Sequence, residues 1–90
     1  MYKILKKEAL NPTVTRMVID APHVARRAKA GQFIILRVDE AGERIPLTIA
    51  GADPETGEVT IIFQVVGKTT MLLNAMDEGQ QLQDFAGPLG

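Results

Sequence analysis

Apolar and polar residues alternate with a period of two along much of this chain, and that period predicts strands. Val14 to Asp20 sets Val14, Arg16, Val18 and Asp20 on one face and Thr15, Met17 and Ile19 on the other. Glu58 to Val66 is the clearest run, with Val59, Ile61, Phe63 and Val65 opposing Thr60, Ile62, Gln64 and Val66. Gln32 to Val38 carries apolar side chains on both faces, which suits a strand inside a closed barrel. Tyr2 to Ala9 reads as a first strand with a lysine-rich outer edge, Arg44 to Ala50 as the fourth, and Gln80 to Ala86 as the last.

Turn chemistry separates these runs. Asn11-Pro12 signals a turn, and Pro22 ends the second strand. His23 to Ala30 is a basic connection with room for a helical turn, closed by Gly31. Glu40-Ala41-Gly42 makes a hairpin turn. In Asp53-Pro54-Glu55-Thr56-Gly57 the proline is placed to start a turn and Gly57 is free to take positive φ. Pro46 removes a ladder donor, so its strand belongs at an edge or at a barrel opening. Thr69 or Thr70 caps a helix that runs to about Met76, with Leu72, Leu73, Ala75 and Met76 as its apolar stripe. Six short strands, tight turns and one short α-helix between the last two strands predict an all-β, antiparallel β-barrel in a single domain, residues 1–90.

Composition narrows the function classes. No cysteine is present, so disulfides, thiolate catalysis and iron–sulfur ligation within this chain are excluded. The single histidine, His23, cannot build a metal site alone and reads as a surface loop residue. The apolar runs are a few residues long, against roughly 20 for a bilayer-crossing helix, so the chain reads as soluble, cytoplasmic and without a membrane partner. The formal net charge is −1, and only 4% of residues are aromatic. Nucleic acid is therefore not an expected partner, since neither a global field nor stacking side chains are available. Charge is nonetheless uneven: residues 1–37 carry eight lysines and arginines against two acids, and residues 38–90 carry two against nine.

Two segments carry candidate chemistry. Arg44-Ile45-Pro46-Leu47-Thr48-Ile49-Ala50 puts a guanidinium, a stiff proline and a hydroxyl on one extended stretch. Val66-Gly67-Lys68-Thr69-Thr70 ends a strand in a glycine turn and opens a helix with hydroxyl residues. The second is not a P-loop, because the glycine required five positions before Gly67 is Ile62. A glycine turn into a helix start still presents free amides and partial positive charge, which favour phosphate. Taken singly, Arg44 reads as a solvated residue, Pro46 as edge protection, Thr48 as an ordinary strand residue and Gly67–Thr70 as helix capping. Their combination, in this order, offers a phosphate clamp beside a flat surface for a ring.

On these residues, on Ala30-Gly31-Gln32-Phe33 and on the closing Gly87-Pro88-Leu89-Gly90, the chain resembles the N-terminal FAD-binding barrel domain of the ferredoxin–NADP reductase superfamily. Within that superfamily the chain resembles most the branch of the dihydroorotate dehydrogenase electron-transfer subunit, sulfide dehydrogenase and the NADH-dependent ferredoxin–NADP oxidoreductase subunit alpha. The resemblance implies a Greek-key barrel that holds FAD. Arg44 would neutralise pyrophosphate or ribityl-side charge, and Thr48 would approach the reactive edge of the ring. Pro46, Leu47 and Ile49 would shape the ring's surroundings, and Gly67, Lys68, Thr69 and Thr70 would cradle the pyrophosphate. Many relatives have Gly-x-Gly-Thr where this chain has Gly67-Lys68-Thr69-Thr70, so Thr69 stands in place of a glycine.

In that family the Gly-Pro-Leu-Gly segment leads into an NAD(P)-binding domain and then cysteines for a 2Fe–2S cluster. The resemblance therefore implies an NAD(P)-binding domain and an iron–sulfur partner in the parent protein. The 90 residues read as an excised domain or an engineered barrel, with no catalytic residue of their own and turnover not expected from them alone. The rival expectation is a scaffold that binds no cofactor and dimerises through exposed edges.

Overall fold

The computed structural model describes residues 1–90, the whole chain. Seven strands and two helices follow one another: β1 (Tyr2–Asn11), β2 (Val14–Asp20), α1 (Pro22–Arg27), β3 (Phe33–Arg37), β4 (Ile45–Asp53), β5 (Glu58–Gln64), α2 (Lys68–Asn74), β6 (Gln81–Leu82) and β7 (Asp84–Leu89). They form one sheet in the order β6-β1-β2-β5-β4-β3-β7, with every pairing antiparallel. The two ends of that order, β6 and β7, are separated along the chain only by Gln83, so the sheet curls into a nearly closed barrel.

The expected strand count of six is corrected to seven, and the reason is a change of partner. The Gln80–Ala86 run pairs first with β1, through Tyr2↔Leu82 and Lys3↔Gln81. At Gln83 it crosses to β3, where the Gln83 amide donates to the Arg37 carbonyl at 3.0 Å. From there β7 pairs with β3, through Arg37↔Asp84 and Leu36↔Phe85. A strand that moves between two neighbours cannot keep one ladder, and it breaks at the crossing. The helix count is likewise corrected from one to two: the basic connection folds as α1, where Pro22 opens the helix and Val24 and Ala25 are buried.

The core follows the alternation. Met17 and Ile19 from β2, Ile34 and Leu36 from β3, Val59, Ile61 and Phe63 from β5, and Ile4, Leu82 and Phe85 all point inward and are buried. Leu73 of α2 is fully buried in the same cluster, so the helix closes one end of the barrel. Thr15 is the one polar residue that is buried, and its hydroxyl donates to Asn74 Oδ1 of α2 at 2.6 Å. Lys7 holds the same end of α2 by donating Nζ to the Asn74 carbonyl, and its amide donates to Glu78 Oε2.

The turn before β5 forms as its residues predict. Asp53 Oδ1 accepts the Glu55 amide at 2.9 Å, and Gly57 has φ of 77°. A Cβ on Gly57 would also lie 2.9 Å from Pro22 Cγ, so both backbone and packing demand glycine. The Gly57 carbonyl accepts the Ala21 amide, which ties this turn to the start of α1.

Two stability predictions follow. Gly57→Ala combines left-handed backbone strain of about 1–2 kcal/mol with the Pro22 clash, so its loss in urea denaturation should exceed about 2 kcal/mol. Asn74→Ala strands the buried Thr15 hydroxyl and should cost about 1–3 kcal/mol. Hydrogen exchange should show the loss concentrated in α2, and unchanged protection there would remove Asn74 as its anchor.

Candidate functional site

Strand β4 is built from two halves with different partners. Ile45 to Thr48 pair with Leu36 to Phe33 of β3, and Ile49 to Asp53 pair with β5. Pro46 lies opposite Ile35 in the first half, where no β5 residue pairs with it. Its missing N–H is thereby accommodated in a strand that is otherwise interior to the sheet, which locates the expected opening. Alternation turns Ile45 and Leu47 onto the core and exposes Pro46 and Thr48.

Pro46, Leu47 and Thr48 line a depression of about 380 Å³ together with Gly31 and Phe33. Thr48 is directly opposite Phe33 in the register. The sequence alone does not place Gly31 and Phe33 beside Pro46–Thr48. Phe33 looks like any strand aromatic until the β3–β4 pairing sets it beside Thr48. Gly90 also reaches this rim: Gln32 Nε2 donates to its carbonyl at 3.2 Å, and a Cβ on Gly90 would sit 3.4 Å from the Phe33 ring. Ile49 stands apart. It is only 8% exposed, within the core cluster, and it borders a separate hollow of about 250 Å³ with Ala28, Lys29 and Ala30.

The second segment makes a corner. β5 ends at Gln64, and the chain then turns into α2 through Gly67, which is extended at φ −155°. Gly67 rather than Thr69 or Thr70 occupies the N-cap position. The Thr70 hydroxyl reaches back, accepting the Val66 and Gly67 amides at 3.0 Å each and donating to the Gly67 carbonyl at 3.1 Å. Thr70 thus fixes the corner, and its hydroxyl is already engaged. The amides of Lys68 and Thr69 take no partner from the chain, as expected for a first helical turn. Neither backbone angle nor packing obliges residue 67 to be glycine: its φ suits any residue, and a Cβ there would meet nothing within 4 Å. Open space therefore lies in front of the corner.

Lys68 and Thr69 face the β3–β4 hairpin across a hollow of about 220 Å³, which Asp39, Ala41, Gly42, Glu43 and Leu72 also line. Arg44 follows Glu43 directly and precedes the depression bordered by Pro46–Thr48. Its Nη2 lies 3.4 Å from Asp84 Oδ2, and the same oxygen accepts Arg37 Nε at 2.7 Å. Arg37 makes the stronger pair, while the Arg44 side chain is 62% exposed and loosely held. Within the acidic stretch 38–90 the only two basic residues are Arg44 and Lys68; Lys68 lines the second hollow, and Arg44 follows the lining residue Glu43 in the chain. The structure thus gathers Pro46, Leu47 and Thr48 in one depression and Lys68 and Thr69 in the other. Arg44 lies between them along the chain, Gly67 and Thr70 form the corner, and Ile49 is withdrawn into the core.

No protein-family model matches the chain. It is 58% identical over its whole length to an uncharacterized protein in the adh 3′ region of Clostridium beijerinckii. It is 43% identical, again over its whole length, to the dihydroorotate dehydrogenase B (NAD(+)) electron transfer subunit homolog of Thermotoga maritima. It spans about a third of the length of these relatives, 30% and 32% respectively. Among solved structures it superimposes with a TM-score of 0.98, at 42% identity, on one reported as giving insights into flavin-based electron bifurcation via the NADH-dependent reduced ferredoxin-NADP oxidoreductase; all of this chain and 33% of that one are covered. A siderophore-interacting protein of Acinetobacter baumannii shares the fold at a TM-score of 0.77 and 19% identity, covering 99% of this chain and 39% of that one. With end-to-end sequence similarity and a nearly superimposable backbone, the chain belongs to the ferredoxin–NADP reductase superfamily as an FAD-binding-type barrel domain, in the branch of the dihydroorotate dehydrogenase B electron transfer subunits and the NADH-dependent ferredoxin–NADP oxidoreductase.

Proposed function

We propose that residues 1–90 form the FAD-holding barrel of an NAD(P)H-dependent electron-transfer flavoprotein of the cytoplasm. In the parent protein an NAD(P)-binding domain delivers hydride and an iron–sulfur partner withdraws electrons. The observation that carries this reading is the pair of hollows whose lining residues, Glu43 and Pro46, bracket Arg44 along the chain. One is bordered by Pro46–Thr48 and Phe33, and the other by the helix start at Lys68 and Thr69.

The residues present suit a flavin dinucleotide. Pro46 and Leu47 give the first depression a stiff apolar wall, and Thr48 adds a hydroxyl on its exposed side. Phe33 supplies an aromatic surface opposite Thr48. The open space at Gly67 lets an anion approach the unpaired Lys68 and Thr69 amides. Arg44 and Lys68 supply the positive charge for a diphosphate. Bound flavin would supply the redox chemistry, accepting a hydride and releasing electrons singly. The chain's own part is to bind, to orient the ring on β4, to keep water from one of its faces, and to place the Thr48 hydroxyl at its edge. The pairing of Thr48 with Phe33 and the burial of Ile49 next to it hold that segment rigid.

Addition of FAD to the purified chain should quench flavin fluorescence and shift its visible absorbance. No response at high micromolar protein would count against the reading. Arg44→Ala should weaken FAD about tenfold, the lower range for a charge-assisted contact because the side chain is mostly solvated. Riboflavin, which lacks phosphate, should bind both proteins equally, and an equal loss for riboflavin would remove Arg44 from a phosphate-binding role.

A further inference from the structure

We infer that Asp84 is a positioning residue for Arg44: it keeps the Arg44 guanidinium beside Arg37, and because Arg37 claims the same carboxylate oxygen more tightly, Arg44 is free to exchange Asp84 for a phosphate. The inference rests on the flavin reading above and gives a part to Asp84 and Arg37, which that reading leaves unassigned.

The three charges form one row across the sheet. Arg37 of β3 pairs with Asp84 of β7. On the other side of β3, Leu36 pairs with Ile45, so Arg44, the residue before Ile45, comes beside Arg37. The row shares a face with the ring depression. Alternation puts Phe33, Ile35 and Arg37 on one face of β3. Thr48 lies opposite Phe33 and Pro46 opposite Ile35, and Arg44 is next in that line. From Thr48 to Arg44 the extended chain covers about 13 Å. A ring at Thr48 and a phosphate at Arg44 therefore lie against one continuous surface.

Like charges placed side by side in a sheet repel, and here one carboxylate serves both arginines. It does not serve them equally. Arg37 Nε donates to Asp84 Oδ2 at 2.7 Å, Arg37 Nη1 donates to the Glu40 carbonyl at 3.3 Å, and the side chain is only 18% exposed. Arg44 reaches the same oxygen with Nη2 alone, at 3.4 Å, and is loosely held. A guanidinium is rich in N–H donors, and the rest of those on Arg44 take no partner from the chain. Asp39, Glu40 and Glu43 of the adjoining hairpin form no ion pair with either arginine. The row thus carries a net positive charge, and that charge sits on the group held least. An anion arriving at Arg44 replaces one long contact with a charge-assisted pair and leaves the Arg37–Asp84 pair intact. Without Arg37, Asp84 would face Arg44 alone, and the same exchange would have to break a full ion pair.

The test measures FAD and riboflavin affinities by fluorescence quenching for the 90-residue chain, Asp84→Asn, Arg44→Ala and the double variant, with thermal melts to confirm folding. Asp84→Asn should tighten FAD about threefold, the range of an exposed ion pair, and leave riboflavin unchanged. In the Arg44→Ala background the same substitution should change FAD affinity far less. That coupling separates the release of Arg44 from the plain loss of a negative charge. Arg37→Gln should weaken FAD about threefold, again only while Arg44 is present. A second measurement needs no variant at Asp84: inorganic pyrophosphate titrated into the unsubstituted chain should shift the guanidinium Nε–H resonance of Arg44 in NMR spectra and leave that of Arg37 in place. Equal shifts at both arginines, or an Asp84→Asn effect of the same size with and without Arg44, would overturn the positioning role while the flavin reading stands. Failure of both FAD and riboflavin to bind would overturn the flavin reading and this role with it.

Discussion

Strand β4 exchanges partners midway, from β3 at Thr48 to β5 at Ile49, and most of what the barrel presents to a ligand depends on that exchange. Each backbone donor and acceptor in a small barrel must meet a neighbour or water. The first half of β4 has a neighbour on one side only, so Pro46 can stand there without orphaning a carbonyl in the core. The same half exposes Pro46 and Thr48 beside Phe33. The second half turns inward and gives Ile49 to the core. A depression and its rigid backing thus come from one strand. The exchange at Gln83 does the corresponding work for the barrel as a whole, carrying one strand from β1 to β3 and drawing the sheet closed.

Helix α2 supplies the facing wall, and its two ends are held in different ways. The C-terminal end is fixed to the barrel by Leu73 in the core and by Asn74 on the buried Thr15 hydroxyl. The N-terminal end is fixed locally by the Thr70 hydroxyl on the Val66 and Gly67 amides. Between these anchors, the next amides along, Lys68 and Thr69, remain free. The anchors place them opposite an acidic hairpin and beside one of the two basic residues that the acidic part of the chain retains. This combination of a cationic point, free donors and flanking carboxylates grades the surface from anion-attracting to anion-repelling within a few residues.

Elements whose residues interact with their own neighbours were readable from the sequence. β2 runs over Val14–Asp20 as its alternation predicts, and the Asp53–Gly57 turn forms with Gly57 at positive φ. The limits of β5 were readable at Glu58 but not at its end. Val65 and Val66 continue the alternation, yet the strand stops at Gln64 as the chain leaves for α2. The N-cap of α2 is Gly67, two or three residues before the Thr69 or Thr70 that the sequence predicts. A hydroxyl at the third helical position can reach backward to two amides, and nothing in the spacing of Thr69 and Thr70 distinguishes that from a cap.

The candidate site divides along the same line. Period-two alternation, turn residues and the absence of cysteine are local properties of the chain. They determined that it is an antiparallel barrel, that Pro46 belongs at an edge or an opening and that a helix follows the glycine turn at Gly67. Which residues share a hollow is set by register and by contacts between segments far apart in sequence. Only the folded chain could therefore place Phe33 against Thr48, bring Asp39 and Glu43 across from Lys68, give Asp84 two arginines to hold, and bury Ile49 in the core. Hydrophobic patterning dictates which face of a strand turns inward, but it carries no information about which other strand's face will be found beside it.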